Sequence, residues 1–533
     1  MKRLFSWRSL RQPSGGRIAM RLAFTNTSAL FLLGAALSVM VADLAITTLT
    51  PWAELRRLLA GILRPDVWSI EALSVVYTVA FAVLGVGIGA VSGFALAIVY
   101  PRSRAVRIFC VTVRSIHELF WALLLIQVFG LGATTGILAI ALPYAGIFAK
   151  VFAEMIEETD LAAERVLPAG TSTISAFASA RLPELSERFK TYTLYRLECG
   201  LRSTLVLGFI GLPTIGFHLE SYFKQGNYAA AAALLGTFYV LIGTRRLWAR
   251  PAVIPILIIA SLLVLPATIG GGSALTNLAR FIGHDIVPYP LRNGHLGEAA
   301  TWSALGAWFW PILTTKIIPG AWQTLVLAQI ALVCTGLIAL AAFPLVSRTF
   351  FGRGGQTAGR VALVIVRSTP EYMVAYVLLQ VLGPSMLPAI IALSVHNGGI
   401  IGYLMGRHAD TLPYRPDAPR GVNLYAYETV PRLYGQFMAY MLYRWEIIVR
   451  ESAIFGILGV TTLGYHVDGA IAELRFDVAV VLIAATVLLS AGIDLVSRTL
   501  RGALRISILP TRLADGPISA SGEKAGDING ACR

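Results

Sequence analysis

Charged residues are scarce in this chain, 14% of 533 residues, against roughly a quarter in an ordinary soluble domain. Acidic residues are scarcer still, 29 against 44 Lys and Arg, which leaves a net charge of +15. The four cysteines (Cys110, Cys199, Cys334 and Cys532) have no near neighbours and no metal-ligand spacing, so they read as apolar fillers and no metal or cofactor is expected. No Gly-x4-Gly-Lys-Ser/Thr phosphate loop occurs, and Gly352–Arg360 does not match one, which excludes a nucleotide-driven motor in this chain. No paired carboxylates and no nucleophile–base spacing stand out, so an enzyme is not expected.

Long apolar runs are what the chain has instead. Ser28–Leu49, Val75–Tyr100, Ala252–Ile269, Thr324–Val346 and Val478–Val496 each approach or exceed the ~20 residues a helix needs to cross hydrocarbon. Backbone polar groups in lipid must be satisfied within the segment, so such runs predict transmembrane helices surrounded by membrane lipid. Met1–Arg21 holds six basic residues and no acidic one. The run that follows is too long for a secretory signal, which predicts an uncleaved first helix.

The positive charge is topological rather than a nucleic-acid footprint. Arg102, Arg104 and Arg107 fill one loop, Arg245, Arg246 and Arg250 another, and Arg348, Arg353 and Arg360 a third; Arg498, Arg501 and Arg505 follow the last run. Intervening loops are near-neutral, mixed or long. That alternation is the positive-inside pattern, so both termini are expected in the cytoplasm.

The chain repeats itself. Arg114-Ser115-x-x-Glu118 returns as Arg367-Ser368-x-x-Glu371, 253 positions later, and Gln127-Val128-x-Gly130 returns at the same offset as Gln380-Val381-x-Gly383. A second block returns at an offset of 248: Tyr192, Tyr195, Arg196, Glu198, Arg202, Gly208, Gly216 and His218 match Tyr440, Tyr443, Arg444, Glu446, Arg450, Gly456, Gly464 and His466. Two ordered blocks make an internal duplication. The expected fold is therefore an all-α membrane protein of about twelve spans in two parallel six-helix repeats. Spans are expected at 28–49, 73–99, 110–129, 133–156, 192–216 and 228–247, then at 252–270, 320–347, 360–382, 385–406, 438–464 and 476–498. The predicted division is a basic cytoplasmic tail over 1–27, repeats over 28–250 and 251–510, and a disordered cytoplasmic tail over 511–533.

Several ionisable residues fall inside spans, where they face the bundle interior or an aqueous path. Glu198 and Arg202, like Glu446 and Arg450, lie four apart and share a helix face, as do Arg114/Glu118 and Arg367/Glu371. Two readings stay open for them: internal ion pairs that lock helices, or arginines lining the route of an anion. His396 and Asn397 sit mid-span beside Gly398-Gly399, where a helix–helix hydrogen bond or a place on the path would each fit. His218 and His466 read as external loop residues.

The long cytoplasmic segments carry the remaining signal. Glu164 precedes Gly170, and Leu182-Pro183 follow; in the second copy Gly421 precedes Val430-Pro431. Glu-x5-Gly-x11-Leu-Pro resembles the loop by which permeases of ABC importers dock on their ATPase. Arg-Ser-x-Pro-Glu at Arg367–Glu371, His396-x-x-Gly399, Tyr-Arg-x-Glu-x3-Arg at Tyr443–Arg450 and Asp494-x-x-Ser497-x3-Arg501 resemble the phosphonate-type permease family. The likeness covers roughly residues 73–248 and 320–501. Departures are Gly211-Leu-Pro-Thr-Ile-Gly216 and Gly459-Val-Thr-Thr-Leu-Gly464, which lack the family's central glycine pair, and Pro143 and Arg246, which stand where the second copy has His396 and Asp494.

The resemblance implies a multi-pass permease of the bacterial inner membrane. It would work with a dimeric ATPase and a periplasmic binding protein, and carry a small anion such as a phosphonate, phosphite or related oxyanion, with no nucleic-acid partner. An ion-coupled secondary transporter of a small anion is the alternative. Differences such as Pro143/His396, Lys150/Tyr403 and Arg246/Asp494 predict that the second copy makes more of the substrate contacts.

Overall fold

The computed structural model describes residues 14–159, 167–168, 170–265 and 273–504. Helices account for nearly all of the regular structure, and no strand occurs among the described residues. The first half contains α1 (Ser14–Val41), α2 (Pro51–Leu63), α3 (Ala72–Val99), α4 (Arg104–Ser115), α5 (Glu118–Phe129), α6 (Ala133–Glu158), α7 (Thr173–Ala176), α8 (Leu182–Gly208), α9 (Ile215–Lys224), α10 (Tyr228–Gly243) and α11 (Arg245–Trp248). The second contains α12 (Ile254–Val264), α13 (Ala274–Arg280), α14 (Tyr289–Asn293), α15 (Ala299–Ile312), α16 (Ile318–Val346), α17 (Arg348–Ser368), α18 (Glu371–Leu382), α19 (Met386–Ala409), α20 (Val430–Glu451), α21 (Leu463–Ala472) and α22 (Phe476–Ala503).

Six helical segments are long and apolar enough to cross a membrane: Phe24–Val41, Ala72–Val99, Ala133–Glu158, Ala299–Val346, Met386–Ala409 and Phe476–Ala503. The count becomes eight if each bent pair is one span. The chain is thus a multi-pass, all-helical membrane protein. The bent pairs correct a sequence expectation. Straight spans at 110–129 and 360–382 are instead broken, with α4 and α5 meeting at 99° and α17 and α18 at 86°. Pro370 forces extended backbone before α18, because a proline disfavours helix in the residue before it. At the first break no proline is present, and the His117 ring caps α5 by accepting from the Leu119 N–H at 3.3 Å.

Each half is built on one long helix pair, α3 with α6 and α16 with α19. Glycine permits the approach. Gly85, Gly89 and Gly93 on α3 face α6, where an added Cβ would lie 2.4–2.8 Å from Ile140, Tyr144 and Phe148. In the second half the stripe sits on the other partner, with Gly398, Gly402 and Gly406 of α19 against Ile338, Ala342 and Phe343 of α16. Small residues at a spacing of four let helix backbones meet in lipid, where hydrophobic burial supplies little attraction.

Two buried threonines tie the ends of these pairs. Thr78 Oγ1 accepts from the Ile215 N–H at 3.0 Å, and Thr324 Oγ1 from the Leu463 N–H at 3.1 Å.

Chain order and packing cross over. Helix α1 packs on α16 of the second half, and α12 packs on α3 of the first. The segment after α1 continues the exchange: the Thr47 N–H donates to the Leu382 carbonyl at 2.9 Å, and the Met386 N–H to the Asp43 carbonyl at 3.0 Å. On the other side Asn277 Nδ2 donates to the Val128 carbonyl at 3.3 Å. Each half is therefore clasped by a helix from the other.

Candidate translocation site

Both helix breaks point inward to a cavity of about 150 Å³. The α4–α5 break supplies Arg114, His117 and Glu118, and the α17–α18 break supplies Pro370, Glu371 and Tyr372. Helices α8 and α20 add Arg196, Arg202 and Ser203 on one side and Arg444, Arg450 and Glu451 on the other; α6 and α19 add Tyr144 and His396. Every one of these elements has a counterpart in the other half. Five guanidinium groups face three carboxyl groups, so the cavity is polar and net cationic.

Two arginines cross between the halves in the same way. Arg202 Nη1 donates to the Arg367 carbonyl at 3.2 Å, and Arg450 Nη1 donates to the Arg114 carbonyl at 3.1 Å. Both carbonyls lie in the last turn of a helix, where acceptors are left without intrahelical partners. A cation there also meets the negative end of the helix dipole. Each break thus exposes a carbonyl that the opposite half's arginine satisfies.

The carboxyl groups are held differently. Glu118 accepts from Ser203 Oγ at 2.9 Å and lies 3.8 Å from His117 Nδ1. Glu371 lies 3.8 Å from His396 Nε2, whose other ring nitrogen faces the Thr369 carbonyl at 2.9 Å. Glu451 accepts from Asn397 Nδ2 at 3.3 Å, and Asn397 Oδ1 accepts from Arg444 Nη1 at 3.2 Å. Arg196 has no such amide; its Nε donates to the Tyr192 hydroxyl at 2.8 Å, and it stacks on Tyr192 and Tyr195. Among the described residues no group of three or more His, Cys, Asp or Glu side chains is placed to hold a metal ion.

The structure separates the residues named from sequence. Arg202, Arg450 and His396 line the cavity, and Asn397 is fully buried behind it. Glu198 turns away and pairs with Arg245 of α11 at 2.6 Å. Glu446 is half-buried and does not line the cavity. The expected Glu198–Arg202 pair is therefore corrected, because Arg202 spends its guanidinium on the Arg367 carbonyl and the Cys199 sulfur while Glu198 has a nearer cation. The Arg114/Glu118 and Arg367/Glu371 pairs fail for another reason. Each straddles a break, so the four-residue spacing does not put them on one helix face.

In the long loops Gly170 and Gly421 both take positive φ, +96° and +64°, conformations that cost a glycine little. Leu182 and Val430 start α8 and α20, each running on from a π-helical turn (Phe177–Arg181 and Leu424–Thr429), and Pro183 and Pro431 follow at the second position. Glu164 lies outside the described residues.

Sequence reasoning named Arg196 and Arg444 within the repeated block but gave them no place in the site, and it missed Ser203, Glu451, His117 and Tyr372. Their signal was present: Ser203 and Glu451 directly follow the paired arginines, and Tyr372 follows the repeated Glu371.

Known proteins are similar to this chain over part or most of its length. The chain is 27% identical over 460 residues to the phosphate-import permease protein PhnE of Mycolicibacterium smegmatis, covering 80% of this chain and 85% of that one. It is 31% identical over 167 residues to the phosphite transport system permease protein PtxC of Stutzerimonas stutzeri, covering 30% of this chain and 61% of that one. A putative phosphite transport system permease protein, HtxC, of the same organism is 26% identical over 214 residues, covering 38% of this chain and 76% of that one. No family model and no solved structure matches. An all-helical, multi-pass chain with duplicated sequence blocks and relatives of this kind resembles the phosphonate-type family of ABC-importer permeases.

Proposed function

We propose that this chain forms the complete translocation path for a phosphorus oxyanion, such as phosphate, phosphite or a phosphonate, with both permease units in one polypeptide. The observation that carries the reading is the cavity between the halves, where Arg114, Arg202 and Arg450 stand beside paired helix breaks. An anion crossing a low-dielectric region needs such compensation, because charge there is costly unless paired. Twelve spans follow if α1, α3, the α4–α5 pair, α6, α8 and α10 are matched with α12, α16, the α17–α18 pair, α19, α20 and α22. Both termini then lie in the cytoplasm.

The energy enters from a partner. The segments around Gly170–Pro183 and Gly421–Pro431 dock a dimeric ATPase, and a periplasmic binding protein delivers the anion to the opposite face. ATPase closure biases the two halves between outward-open and inward-open arrangements. The crossed guanidinium–carbonyl bonds are the contacts such a motion breaks and remakes.

The test is uptake of labelled phosphate and phosphite by cells with and without the chain. Loss of uptake on ATP depletion, with indifference to an uncoupler, supports the reading. Uptake that persists without ATP and stops with the uncoupler would establish the ion-coupled alternative, which the three cavity carboxyl groups also suit.

A further inference from the structure

A path built only to attract anions would carry cations alone, yet Glu118, Glu371 and Glu451 line this one. Only Glu118 has a hydroxyl donor of its own, from Ser203. Glu371 and Glu451 both come from the second half, at the start of α18 and the end of α20. The first half has Glu118 at the position of Glu371 but Ser203 at that of Glu451, so the second carboxyl group of this pole has no counterpart there.

A second, independent feature lies at the same pole. The Tyr372 hydroxyl is buried without a hydrogen-bond partner on a side chain only 2% exposed, and Tyr372 lines the cavity. Its first-half equivalent is Leu119. Arg114 Nε, also at the cavity, is likewise buried without a partner. Buried polar atoms in folded proteins are nearly always satisfied, so two unpartnered donors on one cavity leave a place where a ligand or water can complete the bonding. The volume of about 150 Å³ equals about five waters at bulk density, room for one tetrahedral oxyanion.

Resting on the anion path proposed above, we propose that this pole selects oxyanions that carry a proton. Arg114 and the Tyr372 hydroxyl donate to unprotonated oxygens of the ligand, while Glu451 accepts from its P–OH. An anion with no hydroxyl, such as sulfate, presents only lone pairs to that carboxylate and is repelled. A site whose buried groups must bond a ligand hydroxyl rejects an analogue that lacks it, since its own groups are left unpaired.

The experiment uses the full chain in lipid nanodiscs, without a binding protein whose own selectivity would mask the cavity's. Labelled inorganic phosphate is the probe, with arsenate and sulfate as competitors at neutral pH. Arsenate, which carries a proton there, competes within a few-fold of phosphate, and sulfate is weaker on the order of a hundredfold or more. Glu451→Gln, which offers an N–H in place of a carboxylate oxygen, raises sulfate competition by at least about tenfold relative to arsenate. Tyr372→Phe weakens both anions alike.

Sulfate competing as well as arsenate against the unaltered chain would overturn the selectivity while leaving the anion path standing. So would an unchanged sulfate-to-arsenate ratio in both Glu451→Gln and Glu451→Ser. Absence of phosphate binding, with undiminished uptake in Arg202→Ala and Arg450→Ala, would overturn the path itself and the selectivity with it.

Discussion

Replacing Arg202 or Arg450 with alanine tests how far the two halves are equivalent. Each guanidinium donates one hydrogen bond to a helix-end carbonyl of the opposite half, at 3.2 and 3.1 Å. A bond with one charged partner contributes about 1.5–3 kcal/mol, and interhelical bonds in membranes contribute on average about 0.6 kcal/mol, or about 1–2 kcal/mol in peptides. Taking about 1–3 kcal/mol per crossing, each single variant shifts the balance between joined and separated halves by about 5- to 150-fold. Because the contacts match, the two shifts should agree within about threefold. This departs from the sequence expectation that the second copy makes more of the substrate contacts. The assay is initial-rate uptake of labelled phosphate together with the thermal midpoint of the detergent-solubilised chain. Arg202→Lys and Arg450→Lys separate charge from geometry, since a lysine keeps the charge but lacks the planar fork. An uptake loss confined to Arg450→Ala, with Arg202→Ala like the unaltered chain, would refute the equivalence.

Two further outcomes follow from packing. An alanine Cβ at Gly216 would lie 2.0 Å from the Leu205 carbonyl oxygen, and one at Gly464 1.8 Å from that of Ala453. Either substitution therefore forces α8 from α9, or the 3-10 turn after α20 (Ser452–Gly456) from α21, at a cost of at least about 1–3 kcal/mol, seen as reduced membrane yield and a lower thermal midpoint. Gly236→Ala, where nothing lies within 4 Å, should match the unaltered chain. Asn397→Leu keeps the volume but removes an acceptor of Arg444 and a donor to Glu451. A loss of about 1–2 kcal/mol is expected, and a midpoint equal to the unaltered chain's would count against the network.

How much of this was legible depended on whether the information was carried by side-chain type. Membrane character and duplication were, because apolar runs and repeated polar residues are properties of the sequence itself. The inward place of Arg202, Arg450 and His396 was also readable, since few other ionisable residues interrupt the spans. The partners were not. Arg202 and Arg450 bind backbone carbonyls, and no residue letter marks a carbonyl left free by a helix break. The break at Ile116–His117 has no proline to announce it, so helical spacing suggested an Arg114–Glu118 pair that the 99° bend pulls apart.

That same bend explains why the site exists. A straight helix through 104–129 would bond its own carbonyls and leave no acceptor for Arg450; a break frees them inside the helix bundle, where lipid cannot satisfy them. Only the opposite half can. The two breaks and the two crossing arginines are thus mutually required, and the duplicated Arg-Ser-x-x-Glu and Tyr-Arg-x-Glu-x3-Arg blocks are the sequence record of that requirement. The side chains left out of the exchange, Glu451, Tyr372 and Asn397 against Ser203, Leu119 and Tyr144, are where the halves were free to diverge. Asymmetry in what the path recognises belongs to those positions, and symmetry in how it opens belongs to the arginines.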